Sequence, residues 1–218
     1  MDGVRSTRRI ADTVRALMPD IVCFQEIHRR LPWSGREDQP EALETLLGRP
    51  FVFQRNVRFG RGGYGIGIAA RGSIVERREH LLPGDKEQRG ALELRLRNVA
   101  GLRQLTVFCT HWGLDEEERR LQAEALIPII KQAPRPVVFC GDLNEAANCG
   151  AVSLLISRAG LADSDARLNR PTFTSGAPNV RIDYCLYSQD LHAIRVDVVS
   201  SQASDHLPLC VDLEMARP

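Results

Sequence analysis

Four segments of the chain show the periodicity of amphipathic helices. Ser6 stands directly before the first of them, where its side chain suits an N-cap, and Gly160 ends the last. The third carries Glu and Arg on the face that we expect to be solvated. The four predicted helices cover residues 7–17, 41–47, 115–130 and 151–160.

Short runs of apolar or alternating residues predict strands in the rest of the chain. Alternation from Ala91 to Leu96, followed by the turn-like "NVAGLR", predicts a hairpin between two of these strands. The runs that predict strands are "DIVCFQEI", "FVFQRNV", "YGIGIAAR", "SIVERREHLL", "GALELRLRNV", "LRQLTVFCTHW", "PVVFC", "RIDYCLY", "AIRVDVVS" and "LPLCVDLEM".

The order of these elements indicates the fold class. Several predicted strands follow one another directly, while helices are interposed elsewhere. This mixture favours an α/β fold of two mixed β-sheets packed face to face, with helices outside, over a doubly wound parallel sheet. No repeat, low-complexity tract or linker interrupts the chain, so we expect one domain over residues 1–218.

Composition and charge exclude several classes of protein. The chain is 43% hydrophobic and 26% charged, the balance of an ordinary globular domain. With 29 Lys and Arg against 28 Asp and Glu, the net charge of +1 gives the whole molecule no attraction for nucleic acid or membrane, although a local basic patch can still supply one. No segment approaches the roughly 18 consecutive apolar residues of a membrane span, and we find no signal-peptide pattern.

The cysteines favour a reducing compartment. None of the six forms a CxxC pair or a metal-ligand spacing. Most lie in apolar, strand-like runs, where a thiol packs as a small hydrophobic side chain, so free thiols are favoured over disulfides. We therefore expect a cytoplasmic protein, and we take it to be a monomer. The cysteines in apolar runs are Cys23, Cys109, Cys140, Cys185 and Cys210.

Polar residues stand at the ends of the apolar strands. Three apolar runs end in polar residues, and two others begin with them. If the second set runs antiparallel to the first, the ends of one and the beginnings of the other meet at one edge of a sheet. Each strand then acts as a rigid post with a functional side chain at its tip. The residues that would meet there are Glu26, His111, Asp142, Asn144, Asp183, Asp205 and His206.

Each of these residues alone has an ordinary structural explanation. A carboxylate just past a strand is more often a turn former or a helix cap than a catalyst. A lone His111 is more often a satisfied edge histidine, and Asp205 with His206 can form a plain surface loop. Polar residues at the ends of five different apolar runs in one domain favour a functional site over five separate structural explanations.

A glycine-rich stretch lies between two of the predicted strands. Residues 60–65 match G-x-G-x-x-G, but a strand-like run follows them instead of a helix, which argues against a dinucleotide-binding motif. We predict instead a mobile loop in which Arg55, Arg58 and Arg61 contact an anionic substrate. The alternative is that these arginines form only a solvated rim.

Six stretches taken together resemble the endonuclease/exonuclease/phosphatase family, the superfamily of deoxyribonuclease I and of exonuclease III-type abasic endonucleases. "GDLN" or "SDH" alone is a weak signal, but six stretches in the family's order, spread over residues 19–213, are specific. The resemblance implies a four-layer α/β sandwich. The stretches are "PDIVCFQEI", "QRGALEL", "TVFCTHWGL", "VVFCGDLNE", "RIDYCLYS" and "SDHLPLCVDL".

Two features depart from the family pattern. Members of the family begin with a strand whose Asn lies beside the metal, whereas Met1–Gly3 already resembles the loop after that strand. We therefore expect the fold to lack the family's first strand, with an upstream segment as the favoured source of it. Trp112 stands where the family usually has Leu, and we expect it to narrow or reshape the pocket.

The resemblance implies a metal site. Oxygen ligands, without cysteine and with two converging histidines, favour Mg²⁺ or Mn²⁺ over zinc. By the same resemblance, Glu26 of the "QE" motif is the first metal ligand and Asp205 is its neighbour. A metal held by one or two carboxylates keeps open positions for phosphate oxygens.

The resemblance also implies catalytic roles. Asp142 orients and deprotonates the attacking water, and Asn144 holds that water or a phosphoryl oxygen. His206 faces the scissile phosphate, while Asp183 fixes its tautomer and stabilises the imidazolium. His111 gives a further hydrogen bond to a non-bridging oxygen.

These residues predict a Mg²⁺-dependent phosphoric ester hydrolase that cleaves a phosphodiester or phosphomonoester by in-line attack of water. The near-neutral charge and the absence of a basic, aromatic-rich helix favour a small molecule or a lipid headgroup as substrate. A nuclease that acts on DNA or RNA is the alternative. Because of the missing strand, a catalytically weak binding module is the alternative of another class.

Overall fold

Helices and strands follow one another over residues 4–147 and 150–216, the residues that the computed structural model describes. The helices are α1 (Thr7–Leu17), α2 (Gln39–Leu47), α3 (Glu116–Gln132) and α4 (Gly150–Ala159), and a short 3₁₀ helix covers Pro32–Ser34. The strands are β1 (Ile21–Arg29), β2 (Phe51–Phe59), β3 (Gly62–Ala70), β4 (Ser73–Leu81), β5 (Gly90–Val99), β6 (Leu102–His111), β7 (Val137–Asp142), β8 (Leu161–Asp163), β9 (Asp183–Ser188), β10 (Leu191–Val198) and β11 (Leu209–Met215).

The strands form one large sheet and a second layer of two smaller sheets. The large sheet has the order β4-β5-β6-β7-β9-β8, and within it β6 and β7 pair in parallel while the other neighbours are antiparallel. The second layer consists of β1-β3-β2 and β10-β11, all antiparallel.

Three apolar cores separate four layers. The first core lies between the large sheet and helices α3 and α4, and it includes the fully buried Phe108 and Trp112. The second lies between the two layers of strands, where Ile68 of β3 and Leu94 of β5 are buried. The third joins α1 and α2 to the three-stranded sheet. This order of helix, sheet, sheet and helix is the expected four-layer α/β sandwich.

Capping explains where the helices begin and end. Ser6 accepts a hydrogen bond from the N–H of Arg9 at the start of α1, as predicted. Asp115 accepts from two backbone N–H groups in the first turn of α3. Gly160 follows α4 with a φ of +67°, a conformation that glycine adopts without steric cost. The predicted bounds of α1 are therefore exact, and those of the other helices differ by one or two residues.

β1 extends further than the sequence pattern predicted. Instead of ending at Glu26, it continues to Arg29 across a β-bulge between Phe24 and Ile27. Glu26 lies in the bulge with a φ of +58°. A bulge redirects a side chain without interrupting the strand, and an apolar pattern does not reveal it.

The connection between β2 and β3 is a tight hairpin. β2 ends at Phe59 and β3 begins at Gly62, so Gly60 and Arg61 form the turn. The stretch that we predicted to be a loop is therefore mostly strand. The predicted hairpin of β5 and β6 is confirmed, with Leu96 opposite Leu105.

Six strands lie at the edges of the three sheets within residues 4–147 and 150–216, and β1 and β11 are two of them. There β1 pairs with β3 alone, and β11 pairs with β10 alone. The prediction of a missing first strand rested on Met1–Gly3, which lie outside the described residues.

Two features of the structure relate to the expected cellular location of the protein, namely its helices and its cysteines. In the described part of the chain, no helix has both the length and the apolar character needed to cross a membrane. Five cysteines are present as free thiols, and Cys149 lies outside the described residues.

Candidate active site

Strand register places three of the polar residues side by side. β6 and β7 run parallel with His111 beside Asp142, and β7 and β9 run antiparallel with Asp142 beside Asp183. The end of one antiparallel strand thus meets the beginning of the next at a single edge of the large sheet. Asp142 occupies the middle position.

His206 approaches this edge from the loop that precedes β11. Its Nδ1 lies 2.8 Å from Oδ2 of Asp183, which also accepts a hydrogen bond of 2.6 Å from the hydroxyl of Thr172. The ring of Phe173 packs against the imidazole, with centroids 4.8 Å apart. Nε2 of His206 lies 3.8 Å from Oδ2 of Asp142. The carboxylate of Asp183 thus holds the ring with its second nitrogen facing Asp142.

The neighbouring charges shift two pKa values. Burial opposes a charge on His206, but its hydrogen bond to Asp183 and the negative charges of Asp183, Asp142 and Asp205 raise its pKa to about 9. Burial, together with the charge of Asp183, raises the pKa of Asp142 to about 7. At neutral pH the site therefore contains a protonated imidazole beside a carboxyl group that exchanges its proton readily.

His111 is neutral and held in one tautomer. Burial, reinforced by the charges of Arg89 and His206, lowers its pKa to about 3. Nη1 of Arg89 lies 3.0 Å from Nδ1 of His111, and because a guanidinium only donates, we assign the ring hydrogen to Nε2. That Nε2 lies 3.4 Å from Oδ2 of Asp142. Two imidazole N–H groups therefore border the same carboxylate.

Asn144 is fixed by its own backbone and by the neighbouring strand. Its N–H donates to Oδ1 of Asp142 over 2.8 Å, and its side-chain Nδ2 donates to the carbonyl of Trp112 over 2.9 Å. Its φ is +49°, so Asn144 and Glu26 both adopt the left-handed conformation that clusters at functional sites. The side chain of Trp112 lies fully buried in the core beneath α3 and does not line the pocket.

Glu26 reaches the site from the other layer of strands. The bulge in β1 leaves its side chain exposed, and its charge contributes to the raised pKa of Asp142. Burial and the Glu26 carboxylate together raise the pKa of Tyr64 on the neighbouring strand. The two layers of strands therefore both contribute carboxylates to one cleft.

The other predicted residues lie further from Asp142. Asp205 is exposed; its side chain accepts a hydrogen bond of 3.3 Å from Ser204, and its charge acts on His206. Arg58 and Arg61 are exposed at the β2–β3 hairpin, where Nε of Arg58 donates to the carbonyl of Gly60. The structure thus places Asp205 near His206 and the two arginines at the β2–β3 hairpin.

Sequence patterns did not identify three residues of the site. Arg89 lies in the quoted "QRGALEL" directly before β5, but nothing in its position marked it as the partner of His111. Thr172 and Phe173 lie in an irregular segment without periodicity, so their contacts with Asp183 and His206 depend on the tertiary structure.

The donor set at this edge fits a hard cation. One ligand atom from each of Asp142, Asp183 and His206 lies within 4.8 Å of the other two. Burial, together with the charges of Asp183 and Glu26, raises the pKa of Asp142, and a divalent cation beside these carboxylates would favour their charged forms. Carboxylate oxygens are the ligands that Mg²⁺ and Mn²⁺ prefer.

A four-layer α/β sandwich with Asp and His side chains grouped at one sheet edge is the architecture of a class of hydrolases that act on phosphate esters. The sequence profile of the Endonuclease/Exonuclease/phosphatase family matches residues 2–206. The chain belongs to this family, as the six stretches predicted.

Solved structures agree with this assignment. An endonuclease/exonuclease/phosphatase from Beutenbergia cavernae DSM 12333 superposes with a TM-score of 0.82 at 26% identity, over 98% of this chain and 67% of that one. The mannosyl-6-phosphatase of Bacteroides thetaiotaomicron VPI-5482 gives 0.77 at 19% identity, over 96% and 90%. The human Nocturnin catalytic domain with bound sulfate gives 0.77 at 22% identity, over 96% and 86%. The last two similarities establish the shared fold.

Proposed function

We propose that this protein is a divalent-metal-dependent phosphoesterase that hydrolyses a phosphodiester or phosphomonoester by in-line attack of water. The observation that carries the proposal is the position of Asp142. It lies between the N–H groups of two histidines and beside the carboxylate of Asp183. A proton acceptor and two hydrogen-bond donors therefore face one cleft.

Asp142 acts as the general base. Its Oδ1 accepts the N–H of Asn144, and a pKa of about 7 suits proton exchange near neutral pH. The proton of the attacking water passes to this carboxylate. Asn144 donates one side-chain N–H to Trp112, and we assign the other to the water or to a phosphoryl oxygen.

His206 and His111 stabilise the charge that develops on the phosphoryl oxygens. Asp183 keeps His206 protonated, so it is a cationic donor. Arg89 keeps the hydrogen of His111 on Nε2, so it is a neutral donor at the same edge. Donors held in place before the reaction contribute more than mobile ones, because no reorganisation is needed in the transition state.

Glu26 and Asp205 hold the cation in this proposal, next to Asp142 and Asp183. Mg²⁺ or Mn²⁺ bound there would neutralise charge on the phosphate oxygens. The placement rests on the exposed carboxylate of Glu26 in the β1 bulge and on the charge of Asp205 beside His206.

Two substrate classes follow from different observations. The net charge of +1 favours a small molecule or a lipid headgroup. The β2–β3 hairpin favours a nuclease as the second candidate, because Arg55, Arg58 and Arg61 occur in residues 51–71, which contain no Asp or Glu. Since His111, Asp183 and His206 all lie next to Asp142, we favour catalysis over a role in binding alone. We further propose that the protein is cytoplasmic, because its cysteines lie in apolar strands as free thiols do in a reducing compartment. We also take it to be a monomer.

A substrate panel tests the reaction. The purified protein is assayed on p-nitrophenyl phosphate, bis-p-nitrophenyl phosphate, glycerophosphocholine and a single-stranded oligonucleotide, in EDTA, Mg²⁺ or Mn²⁺. We expect metal to accelerate hydrolysis of at least one ester by about a hundredfold or more. His206→Ala should abolish that activity, and His192→Ala, which alters an exposed histidine on β10, should not. Equal rates with and without metal would overturn the proposal.

A further inference from the structure

Two exposed aromatic rings pack edge to face near the strand that carries Glu26. Trp33 is 56% exposed and Phe59 is 52% exposed, and they are the aromatic members of the exposed large hydrophobic residues in the described chain. Their ring centroids are 4.8 Å apart and their planes meet at 76°. In an edge-to-face pair, part of the ring faces stays open to solvent, so this pair offers a ready-made surface for a flat ligand.

The pair stands on the extension of the strand that carries Glu26. Ile27 lies opposite Gly65 of β3, and Phe59 lies opposite Gly62 of the same strand. These two positions on β3 are three residues apart, or about 10 Å at the rise of an extended strand. Trp33 lies in the 3₁₀ helix that follows β1. A ligand that extends from Glu26 along β1 and β3 therefore reaches the two rings.

Arginines surround the ring pair. Arg5 donates to the carbonyl of Trp33 over 3.3 Å, and Arg36 follows the 3₁₀ helix. On the hairpin side, Arg55, Arg58 and Arg61 are exposed and have no carboxylate partner within the described ranges. The charges around the rings are therefore free to meet phosphates.

We propose that the Trp33–Phe59 pair is a base-stacking subsite, and that the substrate is a single-stranded nucleic acid held along the β2–β3 hairpin. This inference rests on the proposed function and selects its second substrate class, because the rings and arginines form a local binding surface whereas the net charge describes the whole molecule. Aromatic rings bind single strands because every base has a flat π face, and arginines along the same groove bind the phosphates. The subsite would hold a base next to the scissile phosphodiester.

The surroundings of the pair disfavour a membrane surface as its partner. Membrane anchoring needs a continuous apolar face. Here the sequence neighbours of the two rings include the polar or small Ser34, Gly35, Arg36, Arg58 and Gly60, and of the apolar neighbours Leu31 is buried. Two isolated rings among arginines match a nucleotide better than a lipid bilayer.

Binding without metal tests the subsite separately from the chemistry. A fluorescein-labelled single-stranded oligonucleotide is titrated in EDTA, and its anisotropy gives Kd. Trp33→Ala and Phe59→Ala should each weaken binding by about tenfold, because each removes part of a stacking surface. The matched control is Ile194→Ala, which removes an exposed apolar side chain of equal exposure (57%) on β10 and should leave Kd within twofold.

The salt dependence of Kd tests the arginines. Arg61→Ala should lower the slope of log Kd against log salt concentration by about 0.7, the value for one phosphate contact on a single strand. Arg103→Ala is the control, since Arg103 is also exposed but lies at the opposite end of β6 from His111. Hydrolysis of bis-p-nitrophenyl phosphate should stay within twofold of the parent in the two control variants, Ile194→Ala and Arg103→Ala.

The outcomes separate the two proposals. If the parent does not bind the oligonucleotide, or if Trp33→Ala binds it as tightly as the parent, the subsite is refuted, whatever the activity on small esters. If instead Trp33→Ala loses binding to anionic phosphatidylserine vesicles while oligonucleotide binding is unchanged, the rings serve a membrane and the proposal is wrong. Stacking-dependent binding without metal-dependent hydrolysis would leave the subsite standing and overturn the proposed reaction.

Discussion

Asp142 is buried beside a second carboxylate, and this environment makes its charge costly. Burial and Asp183 raise its pKa to about 7, whereas the protonated ring of His206 opposes the shift. A buried acid whose charge the fold disfavours is a candidate for a chemical role, because its burial costs stability. This distinction makes the residue testable by an isosteric change.

Asp142→Asn should lower turnover by about a hundredfold or more, because an amide cannot accept the proton of the attacking water. Below about pH 4, where Asp142 is protonated in both the folded and the unfolded parent, the free energy of unfolding should stay within about 1 kcal/mol, since the side chain keeps its shape at the end of β7. Steady-state kinetics and urea denaturation measure the two quantities. Activity within threefold of the parent would remove Asp142 from the mechanism.

The stability of the same variant should depend on pH in metal-free buffer. The folded pKa of Asp142, about 7, lies above its ordinary value of 3.8, so the folded state retains the proton longer than the unfolded state does. The parent therefore loses stability relative to Asp142→Asn as pH rises from about 4 to about 7, and the difference is constant above that range. Melting curves at several pH values in EDTA would show it, and a difference that shrinks as pH rises would contradict it.

Arg89 is a positioning residue, since it acts through His111. Arg89→Met keeps the aliphatic stem but removes the donor to Nδ1, so kcat should fall by about tenfold or more. A structural role alone would not move the ring hydrogen of His111, and nitrogen NMR of that ring should show the change of tautomer. Arg89→Lys should restore part of the activity. Arg95→Met, which removes a half-buried arginine paired with Glu76, should leave kcat and the tautomer unchanged.

At the scale of the element, β7 depends on close contact with β6. Gly141 lies opposite Thr110, one residue before Asp142, and a methyl group on Gly141 would overlap the Thr110 carbonyl. The glycine therefore lets the two parallel strands approach until His111 and Asp142 meet. The spacing of β6 and β7 at Gly141 therefore also sets the distance between His111 and Asp142.

Gly141→Ala should destabilise the protein by about 1–3 kcal/mol, because backbone atoms must move to admit the methyl group. Turnover should fall as well, since the same movement separates His111 from Asp142. Gly150→Ala at the start of α4 is the control, because a Cβ there meets no atom within 4 Å. Chemical denaturation and kinetics measure both variants, and equal stabilities would show that β6 and β7 can separate freely.

At the scale of the molecule, the site joins both layers of strands. Glu26 comes from the three-stranded sheet, and Asp142 and Asp183 come from the large sheet. A cation held by Glu26 and Asp205, as proposed, would bind the folded chain and not the unfolded one. Metal binding should therefore stabilise the whole molecule.

Mg²⁺ or Mn²⁺ should raise the melting temperature in proportion to its occupancy, with about 2.7 kcal/mol of stabilisation at a hundredfold excess over Kd. Glu26→Gln should remove most of this increase. Glu124→Gln, which alters an exposed carboxylate on α3, should not. Differential scanning calorimetry in EDTA and in metal measures the shift, and an identical shift in both variants would place the metal elsewhere.

Local patterns in the sequence determined most of the fold. The four helices and ten of the eleven strands follow from periodicity, since side-chain burial repeats every 3.6 or 2 residues. The positions of His111, Asp142 and Asp183 followed as well, because a polar residue that ends an apolar run marks the tip of a strand. β8 was missed, because three residues are too few to show a period.

Contacts between distant segments decided the rest. The bulge that redirects Glu26, the Arg89–His111 contact and the Thr172–Asp183 hydrogen bond join residues that share no local pattern. The expected absence of a basic, aromatic-rich helix was likewise a statement about single segments. Trp33 and Phe59 are 26 positions apart in the sequence, and they meet because β3 pairs with both β1, which precedes the 3₁₀ helix of Trp33, and β2, which ends at Phe59. Sequence by itself determined where each side chain stands on its element, whereas only the tertiary structure decided which of them meet, because strand pairing acts across any separation along the chain.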